Sequence, residues 1–367
     1  MRQRLAQKIK HQTDLNLLRT LDTKQYKYNF ASNDYLGLAS ERLVKEALIE
    51  SVLQNGVGTC AAQTIGGFSA VHAELVEAIC QLNNSEDACL FSSGFMANLA
   101  ILNTLSEKGQ AIYLDRKAHA SLINGALMSK AELVRYQHLN VSNLKQKIIK
   151  PGLIVTESVF SMSGAIAPVR AIAQLTNENL NLIVDDAHGL GLLGANGKGA
   201  IDAFTLGNDV TCTITFGKAL GTSGAAVIGN KTVIEAIRQF ASSYLFTTSI
   251  PAGIAAATKV SIGLLQKEAW RHASLVENIA YFKEQSNKYG ILTTNSETAI
   301  QYLKYNSLSS MVSTTNYLAN KGIRVQAIRP PTVAQQDIGI RVVLSALHQK
   351  SEIDKLFTEL MHAKSAE

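Results

Sequence analysis

The sequence predicts an α/β protein with a large, mostly parallel, doubly wound domain and a smaller C-terminal α+β domain. Three observations predict it. Short apolar runs alternate with amphipathic stretches through the middle of the chain, the pattern of buried strands joined by crossover helices. Those runs end in Gly, Ser, His, Asp and Lys, and open α/β sheets place their chemistry at strand ends. After about Ile250 the pattern shifts to long helical stretches with two later strand-like pieces. The expected division is a leader over 1–35, a large domain over 36–272 and a small domain over 273–367.

In chain order, residues 70–81 and 95–105 read as amphipathic helices. Residues 88–91, 111–114, 153–156, 182–184 and 212–215 are short and strongly apolar, which suits strands buried on both faces. Residues 251–286 read as one long helix. Residues 316–321 and 352–362 read as helices of the smaller unit, with strands at 323–325 and 340–344 between them.

The 367 residues are 46% apolar and 17% charged, the composition of a soluble globular chain with a large core. The net charge of +6 suits an anionic substrate without requiring one. No dense Lys/Arg run with interleaved aromatics points to nucleic acid, and no apolar run is long enough to span a bilayer. Cys60, Cys80, Cys89 and Cys212 are scattered, so neither a metal site nor a disulfide framework is expected. Residues 1–10 are charged and lack the apolar core of a signal peptide, so the expected compartment is the cytoplasm.

The motifs sit after the predicted strands. Thr215-Phe216-Gly217-Lys218 places a hydroxyl and an amine at one strand end, and Val184-Asp185-Asp186-Ala187-His188-Gly189 places acids and an imidazole at another. Desolvation lowers a lysine's pKa, and the neutral amine can form a Schiff base with an aldehyde. An aspartate nearby would keep a pyridine nitrogen protonated, as pyridoxal phosphate (PLP) chemistry requires. Ser92-Ser93-Gly94-Phe95-Met96 opens a helix, whose free N–H groups bind phosphate. Asp115-Arg116-Lys117-Ala118-His119 brings an imidazole that could lie on an aromatic ring, and residues 156–164 bring Glu157, Ser161 and further hydroxyls. Each motif alone also reads as a cap or a polar loop. Together, five strand ends carry groups useful to one phosphorylated aromatic cofactor.

Two other motifs invite a functional reading. Gly189-Leu190-Gly191-Leu192-Leu193-Gly194 matches a dinucleotide fingerprint formally, but Ala195-Asn196-Gly197-Lys198-Gly199 follows where a helix should open. Arg329 precedes Pro330-Pro331, which would fix the direction of a fork able to clasp a carboxylate.

The assembled residues resemble the α-oxoamine synthase family of fold-type-I PLP-dependent transferases. The landmarks are Ser32-Asn33-Asp34-Tyr35-Leu36-Gly37-Leu38, Ser93-Gly94-Phe95, Asp115 with His119-Ala120-Ser121, and Glu157 with Phe160-Ser161-Met162. They continue through residues 185–189, residues 215–218 and Ser345-Ala346 with His348. The stretch Ala327-Ile328-Arg329-Pro330-Pro331-Thr332-Val333 is similar to the branch that joins L-alanine to a pimeloyl thioester in biotin biosynthesis. Other branches use glycine or serine with other acyl thioesters, and a PLP aminotransferase would share the lysine and aspartate. Residues 58–63 depart from the family's usual Gly/Ser-rich stretch.

The resemblance implies roles. Lys218 would carry pyridoxal 5'-phosphate and act as base, Asp185 would pair with the pyridine nitrogen, and His188 would meet the ring's phenolic oxygen. His119 would stack on the ring and orient the thioester. Ser161, Thr215 and the backbone of Gly94 and Phe95 would bind the cofactor. Arg329 would hold the alanine carboxylate, with Arg19, Asn33 and Thr332 also contacting substrate. The resemblance also implies a homodimer with its sites at the interface, where residues 244–249 reach the neighbour's phosphate.

Overall fold

Among the described residues twelve strands organise the fold, and seven of them make the sheet that positions the chemistry. The computed structural model describes residues 1–15, 17–18, 21–294, 296–330 and 332–365. The strands are β1 (Tyr28–Asn29), β2 (Asp87–Phe91), β3 (Ala111–Asp115), β4 (Glu132–Tyr136), β5 (Gly152–Glu157) and β6 (Leu180–Asp185). They continue as β7 (Thr211–Thr215), β8 (Ala225–Gly229), β9 (Ile300–Lys304), β10 (Ile323–Arg324), β11 (Gln326–Ile328) and β12 (Gly339–Val343). The large sheet has the order β2-β8-β7-β6-β5-β3-β4, and β8 alone runs against the other strands.

Strand alternation builds a core on each face of this sheet. In β5, Ile154 joins one apolar cluster while Leu153 and Val155 join the other. Each such buried aliphatic contributes about 1.5–3 kcal/mol relative to exposure. That is why β3 and β5 read as apolar runs, and β3, β5, β7 and β8 are all buried throughout.

The smaller unit is the antiparallel sheet β11-β12-β9 with the helices Leu308–Asn320 and Lys350–Ser365. The leader is not separate from it, because β1 pairs in parallel with β10. Three further details differ from the sequence reading. The sequence reading gives no strand for β1, β4, β8, β9 or β11: in the large sheet, β4 is an edge strand carrying Glu132 and Arg135, and β8 is a run of small residues. The long helix is two helices, Ala252–Lys267 and Ala269–Lys288, broken at Glu268, whose ψ of 63° is not helical. The helix at 316–321 begins earlier, at Leu308, where Ser307 accepts the Ser310 N–H as its cap. Among the described residues no helix is long and apolar enough to cross a membrane.

Candidate active site

The carboxyl ends of β2, β3, β5, β6 and β7 open on one cavity of about 300 Å³. Its inner wall begins at β7. Phe216 is buried, donates its N–H to the Gly224 carbonyl at 2.9 Å and accepts the Thr222 N–H at 2.9 Å. This tight loop turns Lys218 back over the strand end, so that Nζ donates to Thr215 Oγ1 at 3.3 Å. Thr215 in turn donates to the Ala187 carbonyl at 3.2 Å, tying the end of β7 to that of β6. Burial lowers the Lys218 pKa, with Asp185 and then Glu157 opposing.

The two aspartates after β6 have different work. Asp185 faces the cavity, with Oδ2 accepting Asn98 Nδ2 at 2.7 Å and Oδ1 accepting the Ala187 N–H at 3.0 Å. Asp186 accepts the Ser158 hydroxyl at 2.5 Å and the Ala200 N–H at 2.8 Å, and burial raises its pKa to about 7. Asp186 therefore braces two loops. Gly189 is required beside it, since a Cβ there would lie 1.9 Å from Asp186 Oδ1 and 2.4 Å from Ser158 Oγ. His188 Nδ1 lies 2.6 Å from the Tyr35 hydroxyl. Burial first, then the Lys218 and Arg341 charges, hold His188 well below its ordinary pKa, so it is a neutral imidazole.

Two helices contribute their N-termini. The helix Gly94–Leu105 begins at the end of β2, and its first N–H groups lie at the cavity wall without intrahelical acceptors. Gly94 permits that approach, because a Cβ would come within 2.6 Å of Thr215 Cγ2. His119 caps the helix Ala120–Met128 and donates its own N–H to Glu157 Oε1 at 2.7 Å. Burial lowers the His119 pKa, with Asp185 opposing, and raises that of Glu157 well above the carboxylate range, with Asp185 adding. Ser161 lies on the same wall.

The smaller unit and the leader close the opposite side through Arg341, Gln326 and Asn33. Arg341 is 2% exposed, and its Nη2 donates to Asn33 Oδ1 at 2.9 Å. Its buried Nε has no partner among the described residues. An unpaired guanidinium N–H beside a cavity calls for an anionic partner such as a carboxylate.

The cavity thus gathers Lys218, Asp185, His188, His119, Thr215, Ser161, Gly94, Phe95 and Asn33. Arg329 is elsewhere: it lines a second cavity of about 590 Å³ and donates to the Leu18 carbonyl at 2.8 Å. Gln326 borders both cavities. Thr332 is exposed, its N–H donating to the Arg329 carbonyl at 3.1 Å. Arg19 lies outside the described residues.

Sequence reasoning did not single out Asn98 or Arg341, and it named Ser121 only as part of the motif around His119. Arg341 had a signal, a lone charge inside the apolar run Ile340-Arg341-Val342-Val343-Leu344. Asn98 had a fainter one, a polar residue among apolar neighbours one helical turn after Gly94.

A desolvated amine, a facing carboxylate, a neutral imidazole and free helix N–H groups suit a phosphorylated aromatic aldehyde, and PLP fits this donor set. The family described as aminotransferase class I and II matches residues 26–360. The 8-amino-7-oxononanoate synthase of Pseudomonas entomophila (strain L48) is 41% identical over 337 residues, covering 90% of this chain and 86% of that protein. A solved 8-amino-7-oxononanoate synthase from Francisella tularensis is 30% identical with a TM-score of 0.82, covering 94% of this chain and 98% of that one. A serine palmitoyltransferase of S. paucimobilis, solved with PLP and myriocin bound, is 26% identical with a TM-score of 0.92, covering 99% and 97%.

Proposed function

The chain belongs to the aminotransferase class I and II family, and from that premise we propose that it is a PLP-dependent acyltransferase. It condenses L-alanine with a pimeloyl thioester, carried on CoA or an acyl carrier protein, to 8-amino-7-oxononanoate for biotin synthesis. Carbon dioxide and the free thiol leave. The observation that carries this reading is the desolvated Lys218 amine sharing one cavity with Asp185, in a chain 41% identical to a protein of that name.

Bound PLP supplies an electrophilic carbon for an amine and a ring that accepts electrons from the alanine Cα. Lys218 would hold the cofactor through Nζ and, as a free amine, would take the alanine Cα proton. Asp185 holds a proton on the pyridine nitrogen, and His188 donates toward the ring's oxygen. Gly94 and Phe95 N–H, Ser161 and Thr215 bind the cofactor's oxygens. Arg341, with its free Nε, and Asn33 receive the alanine carboxylate and orient the Cα–H bond. His119 meets the thioester from the opposite wall. Arg329 acts on substrate from the side of the second cavity, with Thr332 and Arg19 also contacting substrate.

The working unit is a homodimer in the cytoplasm. Phe246, 84% exposed in the 244–249 segment, and Ile65, 76% exposed, support a covered face.

Holoenzyme supplied with L-alanine and pimeloyl-CoA tests the function. Stoichiometric thiol and 8-amino-7-oxononanoate are expected. Preference for glycine or serine with another thioester would move the protein to a different branch. Amino transfer to a 2-oxo acid without thiol release would overturn the reading.

A further inference from the structure

A buried hydrogen-bond chain runs under the cavity floor from β7 to His119. Thr213 Oγ1 donates to Asn98 Oδ1 at 2.8 Å. Asn98 Nδ2 then donates to Asp185 Oδ2 at 2.7 Å and to Ser121 Oγ at 2.9 Å. The reverse amide orientation would set an oxygen against the Asp185 carboxylate. Ser121 Oγ lies 2.8 Å from His119 Nδ1, and the Ser121 backbone N–H points at the same nitrogen at 3.2 Å. A backbone N–H can only donate, so Nδ1 must accept, and the Ser121 hydroxyl donates to it as well. Asn98 is 2% exposed, while Ser121 and Thr213 are fully buried, so water does not compete for these bonds.

We infer that Asn98 and Ser121 are positioning residues that hold His119 in one tautomer, with its proton on Nε2 as a donor toward the cavity, and tie that ring to Asp185. Every hydrogen in the chain then has one direction. A second proton on Nδ1 would confront the Ser121 N–H, so the same geometry keeps the ring neutral. The charged and titratable groups around the ring are Asp185, Lys218, Glu157 and His188. Burial of the ring acts in the same sense as the Ser121 N–H. In the proposed reaction, His119 therefore offers the thioester a hydrogen bond instead of removing a proton. That last step rests on the function proposed above; the tautomer does not.

The test is nitrogen NMR of ¹⁵N-histidine holoenzyme, with His119 assigned by loss of its signals in His119→Gln. The wild type should show a neutral ring protonated at Nε2 alone. Ser121→Ala removes the hydroxyl donor but keeps the backbone N–H, so the Nε2 tautomer should stay the major form with a measurable Nδ1 minor form, and kcat should fall about threefold to tenfold, the equivalent of one lost hydrogen bond. Its KM for alanine should stay unchanged. Ser121→Thr, which keeps the hydroxyl, should restore the single tautomer and most of kcat. A wild-type ring protonated at Nδ1, or one already mixed, overturns the inference without any variant having to fold. If the tautomer is as stated but no thiol is released from any thioester, the proposed function fails and the positioning chain stands.

Discussion

The two cavities that meet at Gln326 are built from different materials. The first stands on five strand ends, and its side chains are held by buried or half-buried partners: Asp185 by Asn98, His188 by Tyr35, Arg341 by Asn33. The second is lined by the leader, the short strands β10 and β11, and the helix Leu308–Asn320, with Asp22, Arg324 and Arg329 among its groups. Its ionisable side chains lie at or near the surface. The difference teaches where bond-making and recognition separate. In the first cavity charged groups sit on strand ends with buried hydrogen-bond networks, and in the second they sit on long side chains nearer solvent.

The sharpest way to break this comparison is to remove the amine. Lys218→Ala should lower kcat on the order of 10⁴-fold or more, because it deletes both the covalent anchor and the base. The second cavity has no lysine among its described lining residues to substitute for it. Retention of more than a few per cent of turnover would place the chemistry elsewhere.

The paired aspartates offer the next test. Asp185→Asn should lower kcat about 10²–10³-fold with KM little changed, since the carboxylate matters most as charge develops. Asp186→Asn should instead cost about 1–3 kcal/mol in unfolding free energy, because one of its two accepting oxygens becomes a donor among buried donors. Denaturant titration and steady-state kinetics on both variants separate these effects. A kinetic defect in Asp186→Asn larger than that of Asp185→Asn would reverse the assignment.

Arg341 and Arg329 sharpen the comparison between the cavities. Arg341→Ala should weaken alanine binding by about 2–5 kcal/mol, and Arg341→Lys should recover only part, as an ammonium cannot reproduce the fork. Arg329→Ala should raise KM for the thioester and change alanine binding less. Isothermal titration of alanine into both variants decides. If Arg329→Ala alone abolishes alanine binding, Arg329 must enter the first cavity during turnover.

A smaller effect should follow pH. The Lys218 amine titrates below the ordinary lysine value of 10.5, chiefly through burial. A base with a depressed pKa is neutral above that pKa, so uptake of PLP by cofactor-free protein should accelerate with rising pH and level off below 10.5. Asp185 opposes that depression, so Asp185→Asn should move the midpoint lower still. A midpoint at or above 10.5 would mean the amine is hydrated.

Legibility in the sequence followed the same division. β5, β6 and β7 were readable because burial on both faces leaves an unmistakable apolar run, and their ends carried Glu157, Asp185 and Lys218 in plain view. β4 was missed because an edge strand tolerates Glu132 and Arg135, and β8 because small residues carry little pattern. Asn98 was missed because its helix brings it to Asp185 and Ser121 only after folding, and the role of Ser121, though its motif was named, appears only once that contact to His119 forms. Arg329 drew attention through its rigid diproline, whereas Arg341 lies within a strand and reaches the first cavity only through the packing of β12. His348, a family landmark, proves to be a brace: its Nδ1 accepts the Ser345 N–H at 3.1 Å and its Nε2 lies 3.1 Å from the Asn29 carbonyl.

The central claim is that the chemistry belongs to Lys218 in the strand-end cavity. Borohydride reduction of the holoenzyme, followed by digestion and sequencing of the pyridoxyl-bearing peptide, tests it most directly. The account predicts one labelled peptide, carrying the cofactor on Lys218. A label on any other lysine, or no label on protein reconstituted with PLP, would contradict it.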